Sequence, residues 1–418
     1  MKTCLKRIYS KDYFIFLGLG FLPLIWKILE LAILSSFENS IKILGQTALI
    51  AIIFKVFEES LLNPLYKILG KNNNSDEDSK NAIAQKFLFV YVILTLLFTA
   101  CIFAINKPII KMSMVPNHII SETFNFLKIY IFACGVGVIS KYLYTFSVIN
   151  KNTKNLFVYL LIKAFATAVL FLALIPKFTL GLGIQGVAVA ELIVNLTTVL
   201  FLIFTFPKSK NKNSKLNKKE YFKLFAISLT ETLIRNVVYY FVILVLLNML
   251  DNQDLYFVAN DFIWSIMLVP AIAQNILVKQ AVSNNETETL KPFLVNCLVL
   301  IGFMLLMLPV AFLTFKYVFN FSNYLNYFEV LLKLFPCYII FVFDGVIESY
   351  FFASGKLHHI LIQNIITNVL IYLVAYVLFL SGVWIVTLNS ILLLFNLGVV
   401  VSSIYTISAY CVTTKKVV

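Results

Sequence analysis

Long apolar stretches recur along the whole chain, and its lysines and arginines are concentrated in every second gap between them. The basic segments are Lys2–Lys11, Lys67–Lys86, Lys151–Lys154, Lys208–Lys223, Lys279–Lys291, Lys356 and Lys415–Lys416. The alternate gaps are poorer in basic residues, and the gap near Asp251 has none. An excess of Lys and Arg in alternate loops is the positive-inside pattern of a polytopic membrane protein. It predicts that both termini lie in the cytoplasm.

The composition excludes an ordinary soluble fold. The chain is 61% hydrophobic and 13% charged, whereas soluble domains are about 45–50% apolar and about 25% charged. A net charge of +14 would ordinarily suggest a nucleic-acid partner. Here the charge lies in predicted cytoplasmic loops, so we expect membrane lipids as partners and no nucleic acid. The start MKTCLKRIYSKDYF has no small-residue cleavage site, which predicts a retained first span.

A membrane-spanning helix needs about 20 mainly apolar residues, and about twelve segments of this chain qualify. They are 13–35, 44–68, 84–106, 122–148, 156–175, 182–206, 222–248, 254–280, 292–316, 325–353, 357–381 and 384–411. We therefore predict an all-α polytopic membrane protein with an N-terminal lobe at 1–206, a basic cytoplasmic linker at 207–221 and a C-terminal lobe at 222–418.

The two halves show a weak internal similarity. LYTFSVINKNTKN at 143–155 ends the fourth span, and SYFFASGKLHHIL at 349–361 ends the tenth. Both pass from aromatic through small residues to a short basic turn. Because six spans is an even number, both halves would begin in the cytoplasm. They would then be parallel repeats related by a pseudo-two-fold axis, with a central cavity. We expect the chain to act as a monomer.

Prolines inside the spans are candidate hinges. Proline lacks a backbone donor and tends to kink a helix, and transporters use broken helices at their binding sites. The candidates are Pro23, Pro64, Pro270 and Pro336. The alternative is that each kink only serves helix packing.

Three segments resemble the multidrug and toxic compound extrusion (MATE) transporters. GLGIQGVAVAELIVN at 181–195 is similar to the G-x-x-G-A-A-x-A-T start of their sixth helix. PLYKILGKNNNSDEDSKNAIAQ, from Pro64, resembles their loop between the second and third helices, and FDGVIESYFFASGKLHH at 343–359 their tenth helix. The resemblance implies two six-helix lobes and export of amphipathic, often cationic compounds driven by H⁺ or Na⁺. The wider superfamily includes flippases for lipid-linked oligosaccharides, which share this architecture.

Asp344 and Glu348 are the leading candidates for binding the coupling cation. They lie four residues apart in the tenth span and share one helix face. A charge at mid-bilayer costs at least about 2.5–3.5 kcal/mol on insertion scales, which marks it as a functional candidate. Two carboxylates this close cannot both ionise cheaply, so the pair can take up a proton or share Na⁺. The resemblance also places Asp344 at the family's tenth-helix cation site. Glu348 alternatively reaches water from the cytoplasmic half of the span.

Two further acids have basic neighbours in sequence. Glu231 precedes Arg235 by four residues in the seventh span, in the favourable order. Glu30 follows Lys27 by three residues in the first span. Each pair is either a structural ion pair or part of the cation site.

Three acids have no such neighbour. Glu38 is a displaced equivalent of the first-helix Asp that some family members carry, although it lies near the predicted outer surface. Glu191 and Asp261, in the sixth and eighth spans, are isolated acids that we expect to face the bundle interior.

The charge of the cargo is predicted from the basic and aromatic residues of the spans. Arg235 and the isolated bases Lys163 and Lys333 are candidates to line a cargo cavity, and an excess of bases would favour an anionic cargo such as a pyrophosphate-linked lipid. Our count gives five bases against about eight acids, which favours a cationic cargo. Tyr239 and Tyr240, in the middle of a span, suit cation–π contact, although Tyr and Phe also serve as interfacial anchors and lipid-facing filler. The five bases are Lys27, Lys55, Lys163, Arg235 and Lys333.

Sequence motifs of ATP-driven pumps and common enzymes do not occur. The chain has no G-x-x-x-x-G-K-[ST], no H-E-x-x-H and no G-x-S-x-G. We therefore expect no enzyme and no cofactor, and no metal other than Na⁺ at Asp344 if Na⁺ is the coupling ion. The expected function is a secondary antiporter that exports amphipathic, chiefly cationic small molecules in exchange for H⁺ or Na⁺. The alternative is a flippase for lipid-linked oligosaccharide or another anionic lipid-linked cargo. The abundance of Lys, Asn, Ile and Phe suggests a bacterial protein of the cytoplasmic membrane.

Overall fold

The structure is a computed structural model, and its described part is helical throughout. The described residues are 9–34, 37, 40–45, 48–71, 77–112, 120–207, 209, 218–244, 246–247, 250, 253–284, 290–318 and 323–415. No strand occurs among them. Helices suit a chain in hydrocarbon because each backbone donor and acceptor is then satisfied within its own segment.

In the N-terminal half, the described residues form helices of very different length. They are α1 Lys11–Leu34, α2 Ser40–Gly45, α3 Ala48–Lys71, α4 Glu77–Ala104, α5 Asn106–Met112, α6 Ile120–Ile149, α7 Thr153–Leu174 and α8 Gly183–Phe204. Asn152 caps α7, because its side chain accepts a 3.1 Å hydrogen bond from the Asn155 backbone. Gly181, before α8, and Gly183, its first residue, have φ of 66° and 54°, a conformation that favours glycine.

In the C-terminal half, several α-helices continue as short π-helical segments. The α-helices are α9 Lys218–Val238, α10 Gln253–Phe262, α11 Val269–Ser283, α12 Lys291–Leu313, α13 Tyr324–Ser354, α14 Leu357–Asn364, α15 Val374–Leu380 and α16 Leu388–Lys415. The π-helical segments are Tyr239–Leu244, Ile263–Met267, Thr314–Val318 and Ile365–Leu373. They follow α9, α10, α12 and α14 respectively.

Most of the predicted spans are helices that can cross a membrane. Within the described residues, eight helices are long and apolar enough, and a ninth span is formed by Val258–Met267 and Val269–Ser283, bent by 53°. Helices α1, α3 and α9 occupy the other three predicted positions. Large apolar side chains such as Phe165, Phe204 and Leu306 are exposed, as expected for surfaces that face lipid. The chain is therefore a multi-pass membrane protein, and the predicted fold class is confirmed.

The contacts divide the chain into two compact units. The unit that we call C-terminal consists of the residues up to Phe21 together with those from Lys219 onward, and the unit that we call N-terminal is Leu22–Lys218. Tyr13, in the first turn of α1, donates a 3.4 Å hydrogen bond to the Pro270 carbonyl. A Cβ at Gly20 would lie 2.7 Å from Val269 Cγ1, so glycine permits this close approach of α1 to α11. The predicted lobes 1–206 and 222–418, joined by 207–221, stay a prediction.

The hinge candidates differ in their helical positions. Pro64 and Pro336 lie inside α3 and α13. Pro270 lies in the first turn of α11, directly after the 53° bend, where a missing backbone donor costs little. Pro23 lies within α1, but its side chain is outside the described set. A hinge role for any of the four stays a prediction.

Candidate functional site

Asp344 lies on the buried face of α13 and is only 1% exposed. Ser403, on α16, donates a 3.1 Å hydrogen bond to Asp344 Oδ2. Within the described residues, Asp344 Oδ1 is buried and has no hydrogen-bond partner. Thr406, one turn after Ser403, is also buried. The tenth-span carboxylate is therefore held against two hydroxyl-bearing turns of the last helix.

Glu348 lies one turn after Asp344 and is half-buried. Its Oε1 accepts a 2.6 Å hydrogen bond from Gln363 Nε2, on α14. Gln363 Nε2 also donates to Ser402 Oγ at 2.5 Å. A single amide therefore connects α13, α14 and α16. Between the two acids, a Cβ at Gly345 would lie 2.5 Å from Asn275 Nδ2, so glycine lets the α11 side chain approach this point.

Glu231 joins the same polar region from α9. It is 2% exposed, and its Oε1 lies 3.0 Å from Arg235 Nε. Asn364 Nδ2 donates a 3.0 Å hydrogen bond to the same Oε1. Asn368, one turn later, donates to Asn364 Oδ1 at 3.1 Å. The predicted pair of Glu231 and Arg235 therefore forms, and asparagines extend it. We call the acids Asp344, Glu348 and Glu231, with the α14 and α16 residues that bind them, the carboxylate cluster.

Several buried oxygens near the carboxylate cluster accept no hydrogen bond from the described residues. Besides Asp344 Oδ1, they include Gln363 Oε1, Thr367 Oγ1 and Asn275 Oδ1. Thr367 follows Gln363 by one turn, and Asn275 packs on Gly345. Buried polar atoms without a partner are rare in proteins, and oxygen is the ligand type that hard cations prefer. These oxygens are of the ligand type that a proton or Na⁺ binds, and the described residues contain no group of three His, Cys, Asp or Glu side chains that could hold a metal ion.

Asp261 and Lys333 lie apart from these contacts. Asp261 is exposed on α10 and accepts a 3.4 Å hydrogen bond from Ser265. Lys333 is paired rather than isolated, because its Nζ lies 2.6 Å from Glu329 Oε1 and 2.7 Å from Asn389 Oδ1. Lys333, Glu329 and Asn389 line a pocket of about 240 Å³. Our interpretation of Lys333 as an isolated base was wrong, since Glu329 lies one turn earlier on α13.

Tyr239 belongs to a buried aromatic cluster in the C-terminal unit. Its hydroxyl lies 2.9 Å from the Tyr256 hydroxyl, and both rings pack near Phe395, with centroids at 6.5 and 6.1 Å. Tyr338 extends the cluster, with its ring centroid 6.0 Å from that of Phe395. Tyr240 follows Tyr239 in the same π-helical segment, and its side chain is outside the described set. The Tyr239 hydroxyl is thus engaged within the protein.

The N-terminal unit contains an ion pair that the sequence analysis overlooked. Lys141 Nζ, in the last third of α6, lies 3.0 Å from Glu58 Oε1 on α3. The Lys141 side chain is 51% exposed. Lys55 lies 4.0 Å from Glu59. Our count of five bases therefore omitted both lysines of the fourth span, Lys128 and Lys141. Lys141 could have been identified from the sequence, because it lies inside the apolar stretch 122–148.

Glu191 and Lys163, both interpreted as isolated, are electrostatic neighbours on α8 and α7. Lys163 Nζ also lies 5.9 Å from the Tyr159 ring centroid. Glu30 and Glu191 both interact electrostatically with Tyr130 on α6. The side chain of Lys27, the sequence neighbour of Glu30, is not described, and Glu38 lies outside the described residues. The N-terminal unit thus has its own group of charged and tyrosine side chains.

Comparison with known proteins identifies the fold. No protein-family profile matches the chain, and no curated protein sequence matches it. Solved structures do match. The Vibrio cholerae MATE transporter VcmN in its bent form has a TM-score of 0.79 at 13% identity, with 99% of this chain and 98% of that chain covered. A multidrug resistance MATE family transporter in an outward-facing conformation has a TM-score of 0.80 at 14% identity, with 98% and 96% covered.

A third matching structure is distinguished by the polarity of its binding pocket. It is a transporter of the MOP superfamily from Pyrococcus furiosus, for which a reversed polarity of the binding pocket suggests a different function. Its TM-score is 0.82 at 13% identity, and 98% of this chain and 96% of that chain are covered. The chain therefore has the fold of MATE transporters over nearly its whole length.

Proposed function

We propose that this chain is a secondary active transporter of the MATE type, which exports amphipathic, chiefly cationic small molecules in exchange for H⁺ or Na⁺. The observation that carries the proposal is Asp344. Its carboxylate is 1% exposed within a membrane-length helix, and only one of its oxygens is bound by a described hydroxyl. A carboxylate at this position is expensive to retain, and such groups mark ion pathways and proton relays.

The carboxylate cluster supplies the chemistry for coupling. A proton or Na⁺ neutralises Asp344, and Glu348 one turn away increases the negative potential that attracts it. The hydroxyls of Ser403 and Thr406 lie on the α16 side of the carboxylate. When the cation leaves, the negative charge of Asp344 is again uncompensated and favours a cationic cargo. Because cation and cargo then stabilise different conformations, binding of one promotes release of the other by alternating access.

The setting of the transporter follows from the lysine pattern. We place it in the bacterial cytoplasmic membrane as a monomer with both termini in the cytoplasm, since alternate lysine-rich loops set the orientation. Its partners would be small-molecule cargo and membrane lipids, and its only cofactor requirement would be the coupling ion. Glu30 and Glu191 remain secondary candidates for binding that ion, whereas Asp261 is exposed on α10 and lies apart from the carboxylate cluster. Arg235, Lys163, Tyr239 and Tyr240 remain candidates for contacting cargo.

A second candidate function is favoured by Lys141. This side chain is 51% exposed on a membrane-length helix and lies on the same unit as Lys163. Glu58 and Glu191 lie beside these lysines, but the half-exposed Lys141 side chain is accessible for contact with an anionic, lipid-linked cargo. The alternative function is therefore a flippase for lipid-linked oligosaccharide or a related anionic lipid.

Ethidium efflux from an efflux-deficient bacterial host tests the proposal. Cells that express the chain should export ethidium faster than cells with empty vector. A protonophore should abolish that export if H⁺ is the coupling ion, and a sodium ionophore should abolish it if Na⁺ is. Absence of efflux from a well-expressed protein would contradict a cationic-drug exporter and favour the flippase.

A further inference from the structure

A groove with apolar walls lies on the C-terminal unit between α12, α13 and α16. Its volume is about 350 Å³, and it is lined by Lys291, Leu294, Val295, Leu298, Phe343 and Tyr410. The four aliphatic and phenyl side chains form the walls. Leu298 is 64% exposed, so the groove opens outward from the helix bundle. A groove of this character on a membrane-spanning helix faces acyl chains rather than water.

One end of the groove is basic and aromatic. Lys291 is the first residue of α12. The backbone of Leu290, the residue before it, is hydrogen-bonded to the Tyr410 side chain. The Tyr410 ring packs edge-on against Tyr350, with centroids 5.4 Å apart. Lys356 Nζ donates a 3.1 Å hydrogen bond to the Tyr350 hydroxyl. A pair of tyrosines therefore connects two lysines at this end of the groove.

A third lysine lies at the same ends of the helices. Lys279, near the end of α11, has its ammonium 4.8 Å from the ring centroid of Phe352, near the end of α13. These residues flank the lysine-rich gaps after the eighth and tenth spans. Tyrosine and lysine at the end of an apolar surface are typical of the interface between hydrocarbon and headgroups.

We infer that this groove binds an acidic glycerophospholipid, with one acyl chain along the apolar walls and the phosphate at Lys291 and Lys356. Charge complementarity selects the headgroup. A phosphate diester with no compensating amine carries net negative charge, whereas a choline headgroup would bring a cation against the lysines. Basic pockets between transmembrane helices bind acidic headgroups in this way. The inference is independent of the transported cargo.

Thermal unfolding of the purified full-length protein in a non-ionic detergent tests the headgroup. Phosphatidylglycerol should raise the Tm by about 2–4 °C more than phosphatidylcholine with the same acyl chains. The variant Lys291→Gln/Lys356→Gln should lose this difference. The matched control Lys177→Gln/Lys316→Gln, which changes two lysines in other gaps, should keep it. An equal shift from both lipids, or a full shift in the Lys291/Lys356 variant, would overturn the inference.

The groove itself is tested with both lysines intact. Leu298→Trp fills the groove at its exposed wall and should abolish retention of phosphatidylglycerol in native mass spectrometry. Leu298→Phe is the smaller replacement if the tryptophan variant does not fold, as judged by size-exclusion chromatography and circular dichroism. Full retention in the folded variant would show that the lysines bind lipid without the groove. The same Tm shift from glycerol phosphate alone would show that no acyl chain is bound. Either result would overturn the inference.

Discussion

Asn364 donates a 3.0 Å hydrogen bond to the Glu231 carboxylate, while its neighbour Gln363 donates one of 2.6 Å to Glu348. The two amides are consecutive residues of α14, yet they bind acids on two other helices, α9 and α13. Glu231 of the seventh span and Glu348 of the tenth span are therefore hydrogen-bonded to adjacent residues of α14. A change in ionisation at one acid can alter the hydrogen bonding of the other, since residues in one polar network are energetically coupled.

This coupling predicts a non-additive double-mutant cycle. Asn364→Ala removes a donor from the buried Glu231 and should lower the free energy of unfolding by about 1–3 kcal/mol. After Glu231→Gln, the same change should cost less, because no ionised carboxylate is left unsatisfied. Thermal unfolding of the four proteins measures the difference.

The control for that cycle is Asn195→Ala, which removes a 2.9 Å hydrogen bond to the Ala133 carbonyl in the other unit. Its effect should add to that of Glu231→Gln, since distant sites are independent. Strict additivity of Asn364→Ala with Glu231→Gln would show that the hydrogen bond is energetically unimportant.

Two helical glycines should respond oppositely to alanine. A Cβ at Gly398 on α16 would lie 2.2 Å from the Tyr372 hydroxyl, whereas at Gly302 on α12 it would meet nothing within 4 Å. Gly398→Ala should therefore displace the buried Tyr372 ring and cost about 1–3 kcal/mol. Gly302→Ala should be neutral or stabilise the helix by up to about 1 kcal/mol. The melting temperatures of both variants and the wild type, measured in the same detergent, test this prediction. An unchanged melting temperature for Gly398→Ala would contradict the packing of Tyr372 against Gly398.

A substitution at Lys141 distinguishes the two candidate functions, export of a cationic cargo and flipping of an anionic lipid. If the cargo is cationic, Lys141→Gln should leave gradient-dependent ethidium efflux unchanged or faster, because it removes a positive charge. If the cargo is an anionic lipid, the same change should cripple transport. Lys128→Gln, on the same helix, controls for the general loss of a lysine. Loss of ethidium efflux in a folded Lys141→Gln protein, with efflux retained in Lys128→Gln, would contradict the cationic assignment.

The helices and the leading acids could be predicted because their signals are local. A run of apolar residues indicates a span wherever it lies, and a charge within it stands out, so Asp344, Glu348, Glu231 and Arg235 were all identified from sequence. Their bond partners were not. Ser403 lies 59 residues from Asp344, and Asn364 lies 133 residues from Glu231. Uncharged polar residues are common in such helices, and no periodicity indicates which of them will meet an acid.

The basic residues of the spans were identified less completely than the acids. Lys128 and Lys141 lie within the fourth span but were not among the five bases counted. The partner of Lys141, Glu58, is 83 residues away and already had Lys55 as a sequence neighbour. Lys163 and Glu191 were identified individually, and only the packing of α7 beside α8 makes them neighbours. Long-range pairs of this kind depend on helix packing, which local pattern does not determine.

The most direct test of the account is ethidium transport by purified protein in proteoliposomes with an imposed H⁺ or Na⁺ gradient. Asp344→Asn keeps the size of the side chain but removes its charge, and Asp261→Asn makes the same change at an exposed acid of the same unit. We predict gradient-dependent transport by the wild type and by Asp261→Asn, and none by Asp344→Asn, with all three equally folded. Full gradient-dependent transport by Asp344→Asn would contradict the assignment of cation coupling to this carboxylate.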